Sequence, residues 1–181
     1  LGMAAAPAYG AERPAYRRSA TYTSDAWVIN FWNTESDHME EELAQIAADG
    51  FNSIILVVPW REFQPGTAPI LYNDHAFDKL DRAMQAADRH GLWVELRVSY
   101  TWEYYEESES RLRFREMLGS EQLEEAWLDY MGRIYQFASQ YPNFYGGFIT
   151  WEDFWNYMED APSFGTGSRS MDEAKRIGFQ D

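Results

Sequence analysis

The sequence predicts a parallel (β/α) barrel of the TIM type with about four βα units present, the N-terminal half of eight. Three observations lead there. Strand and helix patterns alternate four times along the chain. The third strand divides into an aliphatic face and a charged face. The turn after the first strand lacks the glycines that a nucleotide-binding, doubly wound sheet would place there.

The first unit begins with Ala26 to Phe31, a short aromatic and β-branched run that reads as a strand. Asp37 with Glu40 three residues on forms a capping-box signature, and Met39, Leu43, Ile46 and Ala47 recur at helical spacing until Gly50. Ser53 to Val58 is a continuous apolar run, too short for a helix and suited to a central parallel strand. Pro59 ends it, and a second helix carries Phe77, Leu80, Met84 and Ala87 before stopping at Gly91. Leu92 to Val98 is the third strand. Ser120 then caps a helix with the stripe Leu123, Trp127, Tyr130, Ile134 and Phe137; Pro142 breaks it, and Gly147 to Trp151 forms a fourth strand. Ser170 to Ile177 starts a further helix.

Alternation places Trp93, Glu95, Arg97 and Ser99 on one face of the third strand and Leu92, Val94, Leu96 and Val98 on the other. Helices suit the aliphatic face. The charged face fits a barrel interior when Glu95 and Arg97 pair with each other or with neighbours. A solvated edge strand is the other reading of the same pattern. At the first strand's end stand Phe31, Trp32, Asn33 and Thr34 instead of a phosphate-binding glycine turn, which disfavours a dinucleotide site.

Leu1 to residue 25 reads as a flexible leader, with residues 26–181 as the half-barrel. The formal charge of −15 repels phosphate backbones and anionic membranes, so nucleic acid is excluded as an expected partner. There is no cysteine, and no apolar window long enough to span a membrane. With 17% aromatic residues, including 8 Trp, the chain has more rings than an ordinary core requires; some suit a ligand, while core filling is the other reading for about half of the tryptophans. His38, His75 and His90 lack ligand spacing, so no metal or cofactor is implied.

The strand ends carry a resemblance. Gly50-Phe51-Asn52 leading into the second strand, Pro59 to Phe63 leaving it, and the passage from Leu80-Asp81-Arg82 through His90-Gly91-Leu92-Trp93-Val94 are similar to the clan A glycoside hydrolases. So are Tyr141-Pro142-Asn143 and Gly146 to Glu152. The resemblance covers most of Ala26 to Trp155. It implies Glu152, at the end of the fourth strand, as the catalytic acid, with a nucleophile from the end of a seventh strand that this chain does not contain. Two positions depart from the family pattern: Trp151 replaces the Asn that precedes the acid, and Ile55 replaces an Arg of the second strand. Arg97, on the neighbouring strand, is the expected substitute for that Arg.

Barrel enzymes work at the C-terminal ends of their strands. Those ends supply Asn30, Trp32, Trp60, Arg61, Arg97, Tyr100, Trp102, Trp151 and Trp155 as candidate substrate-binding residues around Glu152. The expected activity is hydrolysis of a β-linked polysaccharide or oligosaccharide by two carboxylates, the second outside this chain. Alternatives are a non-catalytic carbohydrate-binding barrel and a structural or interaction domain, and Glu152 also reads as a simple cap of the helix or loop after it. Tyr104 and Tyr105 are expected in a cleft wall, and the acidic run Glu103, Glu106, Glu107 and Glu109 reads as a solvated face. The remaining half of the barrel, from a longer chain or a second one, is the expected partner, and the fragment alone is expected to be inactive. The leader points to a secreted or periplasmic protein.

Overall fold

The computed structural model describes residues 13–35, 38–98 and 119–149, together with Arg113 and Met117. In chain order these form β1 (Ser19–Thr21), α1 (Asn30–Asn33), α2 (Met39–Ala48), β2 (Ser53–Val58) and α3 (Trp60–Phe63). A two-residue hairpin, β3 (Gly66–Thr67) and β4 (Ile70–Leu71), leads to α4 (Asp74–Arg89), β5 (Trp93–Val98), α5 (Glu121–Ala138) and β6 (Phe144–Ile149).

The main sheet has the order β1-β2-β5-β6, and every pairing in it is parallel. Strands that are consecutive in the sheet are joined through helices, as parallel pairing requires. This is the first half of a (β/α)8 barrel. The register aligns Ser53 with Trp93, Ile55 with Glu95 and Val57 with Arg97. It also aligns Arg97 with Phe148 across β5 and β6.

One face of the sheet is the helix-covered core. Ile54, Leu56, Val58, Val94, Leu96 and Val98 are buried there in one cluster with Leu43 of α2, Leu80, Ala83, Met84 and Ala87 of α4, and Ala126, Tyr130 and Ile134 of α5. The predicted two-faced third strand is therefore observed. Trp93 and Arg97 are buried on the opposite face, with Glu95 largely so.

Both glycines expected to stop helices do so. After α2, Phe51 N–H donates to Ile46 O and Gly50 N–H to Ala47 O, with Gly50 at φ +86°. After α4, Leu92 N–H donates to Ala87 O and Gly91 N–H to Asp88 O, with Gly91 at φ +69°. These paired bonds close the last helical carbonyls and need a left-handed residue, which glycine adopts without a Cβ clash. Ser120 caps α5 as expected, its Oγ accepting from Leu123 N–H at 3.3 Å.

Three expectations are corrected, those for the leader, the first strand and the start of the fourth strand. The first strand is Ser19–Thr21, inside the stretch read as a leader, so the folded unit begins before residue 26. Ala26 to Phe31 is a turn running into α1: Phe31 N–H donates to Trp27 O at 2.9 Å and Trp32 N–H to Ile29 O at 3.2 Å. A strand would send the adjacent Phe31 and Trp32 to opposite faces, whereas the helical turn buries both. The residue before α2 is His38, which makes no side-chain cap bond, and Asp37 lies outside the described residues. The fourth strand starts at Phe144, three residues earlier than its sequence pattern suggests, and residues 150 and 151 lie outside the described residues.

Candidate functional site at the carboxyl ends of the strands

Parallel strands bring all their C-terminal ends to one side, and there α1 follows β1 while α3 follows β2. The two short helices are locked together. Trp32 Nε1 donates to Val57 O at 2.8 Å, and its ring meets Phe63 edge-on at 4.6 Å. Asn33 Nδ2 donates to Glu62 Oε2 at 2.6 Å.

Lys79 of α4 lies beneath α1, fully buried. Its Nζ donates to Phe31 O and Thr34 O and sits 4.1 Å from the centroid of the Phe31 ring. These carbonyls end a four-residue helix and have no intrahelical partner, so a cation suits them. Burial pulls the Lys79 pKa below the ordinary lysine value, with Glu35 opposing that shift.

Of the expected site residues, Asn30 is exposed on α1, its carbonyl accepting from Thr34 Oγ1 at 2.9 Å. Arg61 is half-buried on α3. Arg97 is on the inner face at the level of Val57 and Phe148. Trp32 and Trp60 are corrections: both are fully buried, so their indoles pack the core and offer no face to a sugar. Trp60 Nε1 donates to Gln64 Oε1 at 2.7 Å, its ring stacks with Tyr130 at 6.3 Å, and Arg113 lies 5.8 Å from its centroid. Tryptophan buried with a satisfied N–H is a packing residue. Glu152, Tyr100, Trp102, Trp151 and Trp155 lie outside the described residues, as do Tyr104, Tyr105 and the acidic run beside them.

Alternation suggests Arg97 or a neighbour as the partner of Glu95. The observed ion pair is with Arg17, and Ser19 Oγ donates to Glu95 Oε1 at 3.3 Å. Sequence reasoning also missed Asn33, Glu62 and Lys79. Glu62 had a local signal, being a carboxylate just past a strand end. Lys79 had one too, a lysine within the apolar stripe of α4. Asn33 had none, because its partner is on another element.

Chemically, this end of the sheet carries Asn30 and Asn33 on α1 and Arg61 and Glu62 on α3, with the Asn33 amide bonded to the Glu62 carboxylate. Such groups donate to and accept from hydroxyls. The backbone under them is held by Lys79 and Trp32.

No family model matches the sequence, and no curated protein matches it. Solved structures do resemble it. GH5_18 from Bifidobacterium longum subsp. longum superposes with a TM-score of 0.68 at 16% identity, over 90% of this chain and 40% of that one. The exo-beta-1,4-mannosidase Op5Man5 from an Opitutaceae bacterium gives 0.63 at 17% identity, over 85% of this chain and 29% of that one. Beta-glycosidase BGL167 gives 0.55 at 20% identity, over 84% and 35%. The chain thus spans well under half the length of each. At these identities the likeness is one of fold: the chain resembles the clan A glycoside hydrolases and is built as the N-terminal half of their (β/α)8 barrel.

Proposed function

We propose that this chain is the N-terminal half of a glycoside hydrolase barrel acting on a β-linked sugar, with Glu152 as its acid/base residue. The observation that carries the reading is the all-parallel order β1-β2-β5-β6, superposing with a TM-score of 0.68 over 90% of the chain on a glycoside hydrolase barrel. Solved neighbours include a GH5_18 structure holding Manβ1-4GlcNAc and an exo-β-1,4-mannosidase. A β-mannoside or a related β-linked oligosaccharide is the substrate class we infer.

In this reading the protonated carboxyl of Glu152 gives its proton to the glycosidic oxygen as the bond to the anomeric carbon breaks. A second carboxylate, from the other half of the barrel, takes the opposite side of the sugar. Trp151 and Trp155, its neighbours in sequence, keep the Glu152 carboxyl protonated by excluding water. Asn30 and Arg61, with Asn33 and Glu62, read hydroxyls from the ends of the first two strands, while Tyr100 and Trp102 stack on sugar rings. Arg97 supports the site from within. The neighbouring half is contributed by a longer polypeptide or a second chain, and the protein is exported.

The test is hydrolysis of aryl β-mannosides and β-glucosides by the whole barrel, compared with its Glu152→Gln variant. Loss of turnover of at least about a hundredfold with sugar binding retained is expected. Unchanged turnover in the variant removes Glu152 from the mechanism. Sugar binding without any turnover in the parent protein favours a non-catalytic carbohydrate-binding barrel, a reading to which Ile55 gives weight: it stands at a position of the inner face where the family pattern has Arg.

A further inference from the structure

We propose that residues 13–18 are the floor of the barrel, a strap docked across the N-terminal end of the sheet's inner face. The anchors come from all four strands. At β1, Ser19 Oγ shares a hydrogen bond of 2.6 Å with Ser53 Oγ of β2 and donates to Glu95 of β5. Arg17 forms an ion pair with the same Glu95, and its guanidinium carbon lies 4.3 Å from the ring centroid of Tyr145 in β6. Arg13 lies 5.2 Å from the Tyr145 centroid and 6.0 Å from that of Trp93, and these two rings meet edge-on at 5.9 Å.

The backbone of the strap is held as well. Asn52, just ahead of β2, brackets Arg18: its Oδ1 accepts from Arg18 N–H at 2.8 Å, and its own N–H donates to Arg18 O at 3.1 Å. Its Nδ2 donates to Tyr16 O at 2.8 Å. Each of these bonds fixes main chain that a free leader would leave to water.

The span is informative. Arg17 is two residues from β1, yet it meets β6, three strands away, which is about 14 Å across a flat sheet. The contact is a chord of a curved sheet, the curvature a barrel needs. The strap supplies a cation to Glu95 and guanidinium partners to the rings of Trp93 and Tyr145. It closes the interior at its N-terminal end and leaves ligand entry to the C-terminal end, where Asn30, Asn33, Arg61 and Glu62 are. Nothing in the strap depends on the glycosidase reading.

Limited trypsin digestion of the full chain tests it, since Arg17 and Arg18 are cleavage sites inside the strap. A synthetic peptide of residues 1–25 gives the rate for the same sites in an unstructured chain. Cleavage after Arg17 and Arg18 is expected to be at least about tenfold slower in the full chain than in the peptide. The Glu95→Gln variant is expected to lose most of that protection at these sites while cleavage after exposed Arg89 stays as it was. Cleavage of the full chain at the peptide's rate overturns the proposal, and so does protection unchanged in a folded Glu95→Gln protein. If that variant does not fold, the comparison of the parent chain with the peptide decides alone.

Discussion

The indole of Trp32 donates to the main-chain carbonyl of Val57, tying the turn that follows β1 to the strand beside it, wholly out of solvent. Replacing Trp32 with Phe leaves that carbonyl without this donor and a gap beside Phe63. The variant is expected to be destabilised by about 2 to 3 kcal/mol in urea unfolding. Because the ring is buried, sugar affinity of the whole barrel should move far less than stability. A large affinity loss at unchanged stability would return Trp32 to the ligand-binding surface.

Lys79 joins α4 to the end of α1 through Phe31 O and Thr34 O. Lys79→Met removes both bonds but also the cost of burying a charge, so a net loss of about 2 kcal/mol is expected. The pH dependence is a sharper test. Burial sets the folded pKa of Lys79 below its ordinary 10.5, so the folded state disfavours the ammonium. Stability of the parent relative to Lys79→Met should therefore rise as pH climbs from that lowered value toward 10.5. A difference between the two proteins that is flat over the alkaline range would contradict it.

Three tyrosines act in the opposite sense. Burial, reinforced by a hydrogen bond to a carboxylate, raises the pKa of Tyr22 beside Glu42, Tyr141 beside Asp81, and Tyr72 beside Asp129, the last to about 12. Each raised acid contributes stability that is complete below the unfolded value of 10.0 and is lost as pH climbs through the folded one. For Tyr72 that window runs from 10.0 to about 12. Tyr72→Phe should flatten the alkaline fall in the urea midpoint, and ultraviolet titration should show its phenolate appearing late.

Glu40 links the start of α2 to the end of α4. It accepts from Arg89 Nη2 at 2.6 Å and Nε at 3.1 Å, and pairs with His90 Nε2 at 2.7 Å. The Arg89 hydrogen bonds first, then that of His90, hold its pKa down at about 2 against some desolvation. A depressed carboxylate stabilises above the unfolded value of 4.5, and that contribution is lost as pH falls through about 2. Glu40→Gln should remove this part of the acid transition. The difference should shrink in high salt, because the pair is exposed and screened.

Elements whose physics is local are legible in the chain alone. Ser53 to Val58 is apolar on both faces, and β5 alternates aliphatic and polar residues; both register directly as parallel strands with one helix-covered side. Gly50 and Gly91 end their helices because only a residue without Cβ enters the left-handed conformation at little cost. The other elements take their form from tertiary contacts. Ser19 to Thr21 has no strand signature of its own and becomes β1 by pairing with β2, while the aromatic run after it turns helical so that Phe31 and Trp32 can both enter the core. Likewise the partner of Glu95 proved to be Arg17, from the stretch read as leader, because a curved parallel sheet brings the starts of its strands around a common centre. Spacing along the chain records periodicity, but a contact across the barrel depends on how far the sheet curves, and that is a property of the whole sheet.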